Sequence, residues 1–100
     1  MPRKSIVVAH RLTPEEAQRR IQRLLPDLKQ RYADQISDVH EHWAGNKADF
    51  AFKARGFSVS GTLTVKPRQV ELVGNVPLAV MPFWGRIEAT IRRRAELLLG

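Results

Sequence analysis

The stretch ADFAFKARGFSVSGTLTV, residues 48–65, decides how this chain folds. Ala48, Phe50, Phe52 and Ala54 alternate with Asp49, Ala51, Lys53 and Arg55, and beyond Gly56 the residues Phe57, Val59, Leu63 and Val65 alternate with Ser58, Ser60, Thr62 and Thr64. A period of two with one apolar side marks half-buried strands. If Arg55-Gly56 is a two-residue hairpin loop, counting outward pairs Phe52 with Val59. Treating Gly45-Asn46 and Pro67-Arg68 the same way pairs Trp43 with Ala48, Val65 with Val70 and Leu63 with Leu72. Each pair is apolar and lies on one face. The same register sets Phe50, Gly61 and Gly74 side by side, a gap to be filled by an aromatic ring or a helix. Pro67-Arg68 fits least well, because such loops want positive φ and proline cannot adopt it; a longer loop there would shift the last pairing.

Upstream, the period changes to that of a helix. In HRLTPEEAQRRI, residues 10–21, Thr13 is a helix cap, Pro14 suits the first helical position, and Glu16 completes a capping box back onto Thr13. Ala17, Ile21, Leu24, Leu28 and Tyr32 then form a buried stripe, with a kink expected where Pro26 crowds the carbonyl of Gln22. His10 ends the preceding strand with no partner near it in sequence. Downstream, Val80, Trp84, Ile87, Ile91, Ala95 and Leu98 share a face of a second helix that begins near Phe83, after the irregular Pro77–Pro82 region. Since one sheet face is apolar and the other carries Ser, Thr, His, Asp and Lys, both helices cover the same side. The expected fold is α+β: a two-layer sandwich with an antiparallel four- to five-stranded sheet and two helices on one face, in the order β-α-β-β-β-β-α. Residues 1–100 are expected to form a single domain.

Composition narrows the function. The chain has no cysteine, which excludes thiolate chemistry and cysteine-bound zinc, and the cytoplasm is the expected location. The apolar run Ile6–Ala9 is too short for a signal-peptide core, and no run approaches the roughly 18 apolar residues of a membrane span. Seventeen Lys and Arg against ten Asp and Glu give a formal charge of +7, which suits anionic partners.

Several residue sets invite a chemical reading, each beside a plainer one. His40, His42 and Asp38 on one strand, with Asp49 across from His42, form a candidate metal set, although an exposed face carries such residues simply because it meets water; no cofactor is expected. The serines and threonines at 58, 60, 62 and 64 have no base beside them, so no catalytic residue is assigned. Glu41 falls on the apolar face opposite Phe50, where burial raises a carboxyl pKa. Arg92, Arg93 and Arg94 are candidate anion contacts, or a helix C-terminal half complementing its own dipole. The most hydrophobic segment, VPLAVMPFWG at 76–85, either seals the core or presents Leu78, Met81, Phe83 and Trp84, flanked by Arg86, as a surface for a partner.

A short N-terminal strand, then HRLTPEEAQRRI, then RGFSVSGTLTV in the meander and GRIEATIRRR near the end, in that order and spacing, make the chain resemble a small bacterial family of polyhydroxyalkanoic acid system proteins. The resemblance spans nearly the whole length. It implies a setting beside the synthesis and use of polyester storage granules, with some members at the granule surface, and implies no reaction or catalytic residue. The expected role is therefore non-catalytic: binding the granule surface, or a granule-associated protein, through 76–85. Two alternatives stand beside it, an apolar ligand such as an acyl chain between the sheet and the C-terminal helix, and non-specific nucleic-acid binding. The oligomeric state is open between a monomer and a homodimer.

Overall fold

The alternation over residues 48–65 becomes two adjacent antiparallel strands in the computed structural model, which describes residues 2–100. The chain runs β1 (Arg3–Ala9), α1 (Pro14–Ile21), α2 (Leu24–Arg31), β2 (Ile36–Ala44), β3 (Lys47–Ala54), β4 (Phe57–Val65), β5 (Gln69–Asn75), a 3-10 segment (Leu78–Phe83) and α3 (Trp84–Leu99). The strands form one antiparallel sheet in the order β1-β5-β4-β3-β2, so the N-terminal strand closes one edge and the meander supplies the rest. This is the expected α+β arrangement, with the sheet at its five-stranded limit and the helical layer on one face.

The register counted from the turns holds. Phe52 pairs with Val59, Trp43 with Ala48, Leu63 with Leu72, Val65 with Val70, and Phe50, Gly61 and Gly74 lie in one row. Arg55 and Gly56 both have positive φ (51° and 84°), the pattern of the type I′ turn whose twist matches the strands it joins. Pro67-Arg68 is a two-residue loop after all, with the Lys66 N–H donating to the Gln69 carbonyl at 2.8 Å. Its support comes from outside the hairpin. His10 donates its backbone N–H to the Arg68 carbonyl (2.9 Å) and lies 2.9 Å through Nε2 from the Lys66 carbonyl, while its Nδ1 accepts from the Leu12 N–H at 3.1 Å. Only 8% exposed, this histidine is a structural fastener between the end of β1 and the β4–β5 loop.

Three expectations need correction. The N-terminal helical stretch is two helices, not one kinked helix: α1 ends at Ile21 and α2 starts at Leu24, which places Pro26 in a first turn, where its missing N–H leaves no bond unmade. Thr13 does cap α1, accepting from the Glu16 N–H at 3.1 Å, but the Glu16 carboxylate pairs with Arg19 and Arg20 instead of closing the box. In β2 the register shifts between Ser37 and His40, a bulge in which Asp38 takes φ 51°.

The core forms from the apolar sheet face and the helix stripes: Ile6, Val8, Leu63, Val65, Val70 and Leu72 below, Ala17, Ile21, Leu24, Leu25 and Leu28 above, with Ala95 and Leu99 from α3. Arg94 of α3 reaches Asp27 of α2 through two hydrogen bonds (2.8 and 3.3 Å), tying the helices across the sheet. α3 is fixed alongside β1 by Arg92, whose Nη1 donates to the Val7 carbonyl at 2.8 Å.

Candidate functional site

Where the helical layer leaves the sheet, the fold opens. Between α2, α3 and the sheet face lies a cavity of about 410 Å³. Its floor is Phe50, Phe52, Val59, Leu63 and Leu72, with Gly74 beside them; α2 contributes Leu24, Leu25 and Leu28, and the opposite wall is Val80, Trp84, Ile87 and Ile91. Local sequence explains the opening. The α1–α2 break sends α2 toward β2, α3 lies over β1 on the other side, and the Gly61–Gly74 pair removes side-chain volume from the sheet between them. A side chain at Gly61 has no room: its Cβ would collide with the Val73 carbonyl oxygen and sit 2.7 Å from the Gly74 Cα and 2.9 Å from the Phe50 ring. Phe50 therefore folds over the glycine, stacked on Phe52 with ring centroids 6.2 Å apart. The gap anticipated beside Phe50 is thus partly covered by its ring and continues into the cavity.

Polar groups line the cavity as well as apolar ones. Tyr32, Gln35, Thr90 and the cations Lys4, Arg55 and Arg86 contribute, and among the described residues no carboxylate does. Phe57, 42% exposed, stands among the lining residues, as does Phe83.

The segment 76–85 is divided between core and solvent. Val76 and Val80 are buried and seal the core, whereas Leu78 is 73% and Phe83 58% exposed. Met81 is half-buried, Trp84 is half-buried in the cavity wall, and Arg86 is exposed. The five residues proposed as a surface thus divide between the rim and wall of one cavity and the solvent beside it.

The consecutive arginines 92–94 of α3 are engaged differently. Arg92 is engaged with Val7 and Arg94 with Asp27, leaving Arg93 exposed. Burial opposes ionisation of Asp27, but hydrogen bonds and charge from Arg94 and Arg31 outweigh it and hold the carboxyl below its ordinary range. The bulge puts Asp38 out of step with His40 and His42, and Asp38 meets Lys53 at 3.6 Å; Asp49 does stand opposite His42, yet among the described residues no three histidine or acidic side chains converge as metal ligands. Glu41 does pair with Phe50 at the edge strand, but it is exposed there, and the partial loss of water around it pushes its carboxyl up. The nearby Trp43 indole N–H is buried and makes no hydrogen bond. Sequence reasoning missed Lys4 and the α2 leucines as lining residues; the inward phase of β1, Lys4-Ile6-Val8, was the available signal for the first.

Among the described residues no helix is long and apolar enough to cross a membrane. No curated protein and no solved structure matches the chain. A family does: with an apolar cavity at its centre and the motif order noted above intact, the chain matches over residues 5–99 the family described as "Putative polyhydroxyalkanoic acid system protein", and it belongs to that family.

Proposed function

We propose that this member of the polyhydroxyalkanoic acid system is a binding protein with no reaction of its own, acting in the cytoplasm near storage granules and holding an acyl or hydroxyacyl chain in the cavity between sheet and α3. The cavity carries this reading. At about 410 Å³ it falls within the roughly 300–1,000 Å³ of small-molecule sites, and it has their character, mostly apolar with a few polar groups. Leaving such volume between apolar walls forfeits dispersion contacts, and a bound alkyl chain restores them while gaining about 0.8 kcal/mol per buried methylene. Family membership makes the acyl chains of hydroxyalkanoic acids the natural candidates.

Trp84 lines the cavity and Trp43 does not, so Trp43→Phe leaves one reporter at the site. Titration with methyl hydroxydecanoate is expected to give a saturable blue shift of Trp84 emission. Ile87→Phe, which fills the cavity, is expected to keep the melting temperature and lose the shift. No saturable change in the Trp43→Phe protein, with calorimetry of the natural chain also flat, rules the reading out.

The exposure of Leu78 and Phe83 favours a second reading, contact with the polyester surface or a granule protein. Leu78→Ser with Phe83→Ser is expected to reduce co-sedimentation with granules without lowering stability, since both side chains already face water. Undiminished co-sedimentation would exclude it.

A further inference from the structure

The charges around the cavity say what end the bound chain carries. Among the described residues Lys4, Arg55 and Arg86 are its only charged lining residues. Sign alone proves little in a chain of formal charge +7, but position adds to it. Lys4 shares the inner face of β1 with Ile6 and Val8, pairing with Gly74, so it points toward the helical layer instead of the outer water. Arg86 stands in the first turn of α3, which has no acidic residue. A cation there faces the positive end of the helix dipole, an unfavourable place unless an anion joins it. Neither Lys4 nor Arg86 forms an ion pair among the described residues, a state shared by most of the chain's seventeen Lys and Arg, so both are free to meet an anion and their position in the lining is what singles them out.

Counted along their elements, the two cations also fall at about the same height. β5 ends at Asn75, paired with Arg3, and the chain enters α3 from that end; α3 finishes at Leu99, whose carbonyl meets Arg20 of α1 at 3.4 Å. α3 therefore runs parallel to β1, and the Arg92–Val7 bond aligns them. From that bond Arg86 lies six helical residues back, about 9 Å, and Lys4 three strand residues back, about 10 Å.

We infer that the ligand is an anionic amphiphile, an alkanoate or hydroxyalkanoate with a free carboxylate, whose charged end sits between Lys4 and Arg86 while its chain lies on the Phe50–Val59 floor. The inference rests on the cavity reading above and narrows it to free acids over esters and intact polymer. Each cation contributes a charge-assisted hydrogen bond at the mouth of an apolar space, Lys4 from a half-buried and Arg86 from an exposed position.

Calorimetric titration of the full chain with hydroxydecanoate, its methyl ester and decyl phosphate separates the possibilities. The acid is expected to bind about tenfold or more tightly than the ester, as one such bond requires, and Lys4→Gln with Arg86→Gln to bring the acid down to the ester without changing the ester. Equal binding of acid and ester by the natural chain overturns the inference and leaves the cavity reading standing. Binding of neither overturns both. Decyl phosphate binding tighter than the acid overturns the choice of carboxylate. Should the double variant fail to fold, the comparison of acid with ester on the natural chain decides alone.

Discussion

Gly61 is the most crowded of the sheet's glycines, with the backbone of β5 and the ring of Phe50 where a Cβ would stand. An alanine methyl there must push β4 and β5 away from each other, so Gly61→Ala is expected to lower stability by about 1–3 kcal/mol, read as a lower urea midpoint. A midpoint within error of the natural chain would mean that the strands yield easily. His10 is the other residue on which local geometry turns. His10→Ala leaves the Lys66 carbonyl and the Leu12 N–H without their partner, at an expected cost of about 1–3 kcal/mol in the same assay. These two positions differ in how far they could be read from sequence. Gly61 falls beside Phe50 and Gly74 by counting from turns, because alternation and loop length are local. The partner of His10 is 56 residues away, and no periodicity carries that information.

The helices were legible in their stripes and less so in their joints. Ala17, Ile21, Leu24 and Leu28 are buried as their spacing requires, but the chain breaks after Ile21 because the better packing puts α2 over β2, a tertiary preference that a propensity argument cannot see. Asp27 then becomes the link between α2 and α3. Its carboxyl lies below its ordinary value of 3.8, so the folded chain holds that proton less readily than the unfolded chain. The stabilisation is complete above 3.8 and is lost as pH falls through the lowered folded value. Asp27→Asn is expected to cost about 1–3 kcal/mol at neutral pH, by leaving Arg94 partly buried with a weaker partner, and to flatten the acid limb of the melting curve. An unchanged acid limb between variant and natural chain would show the pair to be idle. Glu16, at the surface with its arginines, makes no comparable claim on stability.

At the scale of the molecule, layer order and helix side followed from binary patterning, and so did the presence of a weak spot between sheet and α3. The size of that opening did not. It depends on the angle at which α3 leaves the 3-10 segment and on the swing of α2, neither of which a single sequence encodes locally. A cavity left open in a chain of 100 residues makes stability depend on what fills it. A ligand at a hundred times its Kd adds about 2.7 kcal/mol, and a domain this small then melts roughly 10 °C higher. Scanning calorimetry with hydroxydecanoate is expected to show that rise, and a Tm indifferent to ligand would contradict binding at any useful strength. Of the consecutive arginines near the end of α3, Arg94 is neutralised by Asp27, while Arg92 bonds a neutral carbonyl and keeps its charge.

The irregularity at Asp38 bears on the free edge of the sheet. β2 is an outermost strand, its free side a row of donors and acceptors that another copy of the chain could extend. One surplus residue bends that border and spoils its fit to a neighbour. Deleting Asp38 straightens it, and light scattering of the shortened chain should reveal growth into larger particles at concentrations where the natural protein stays dispersed.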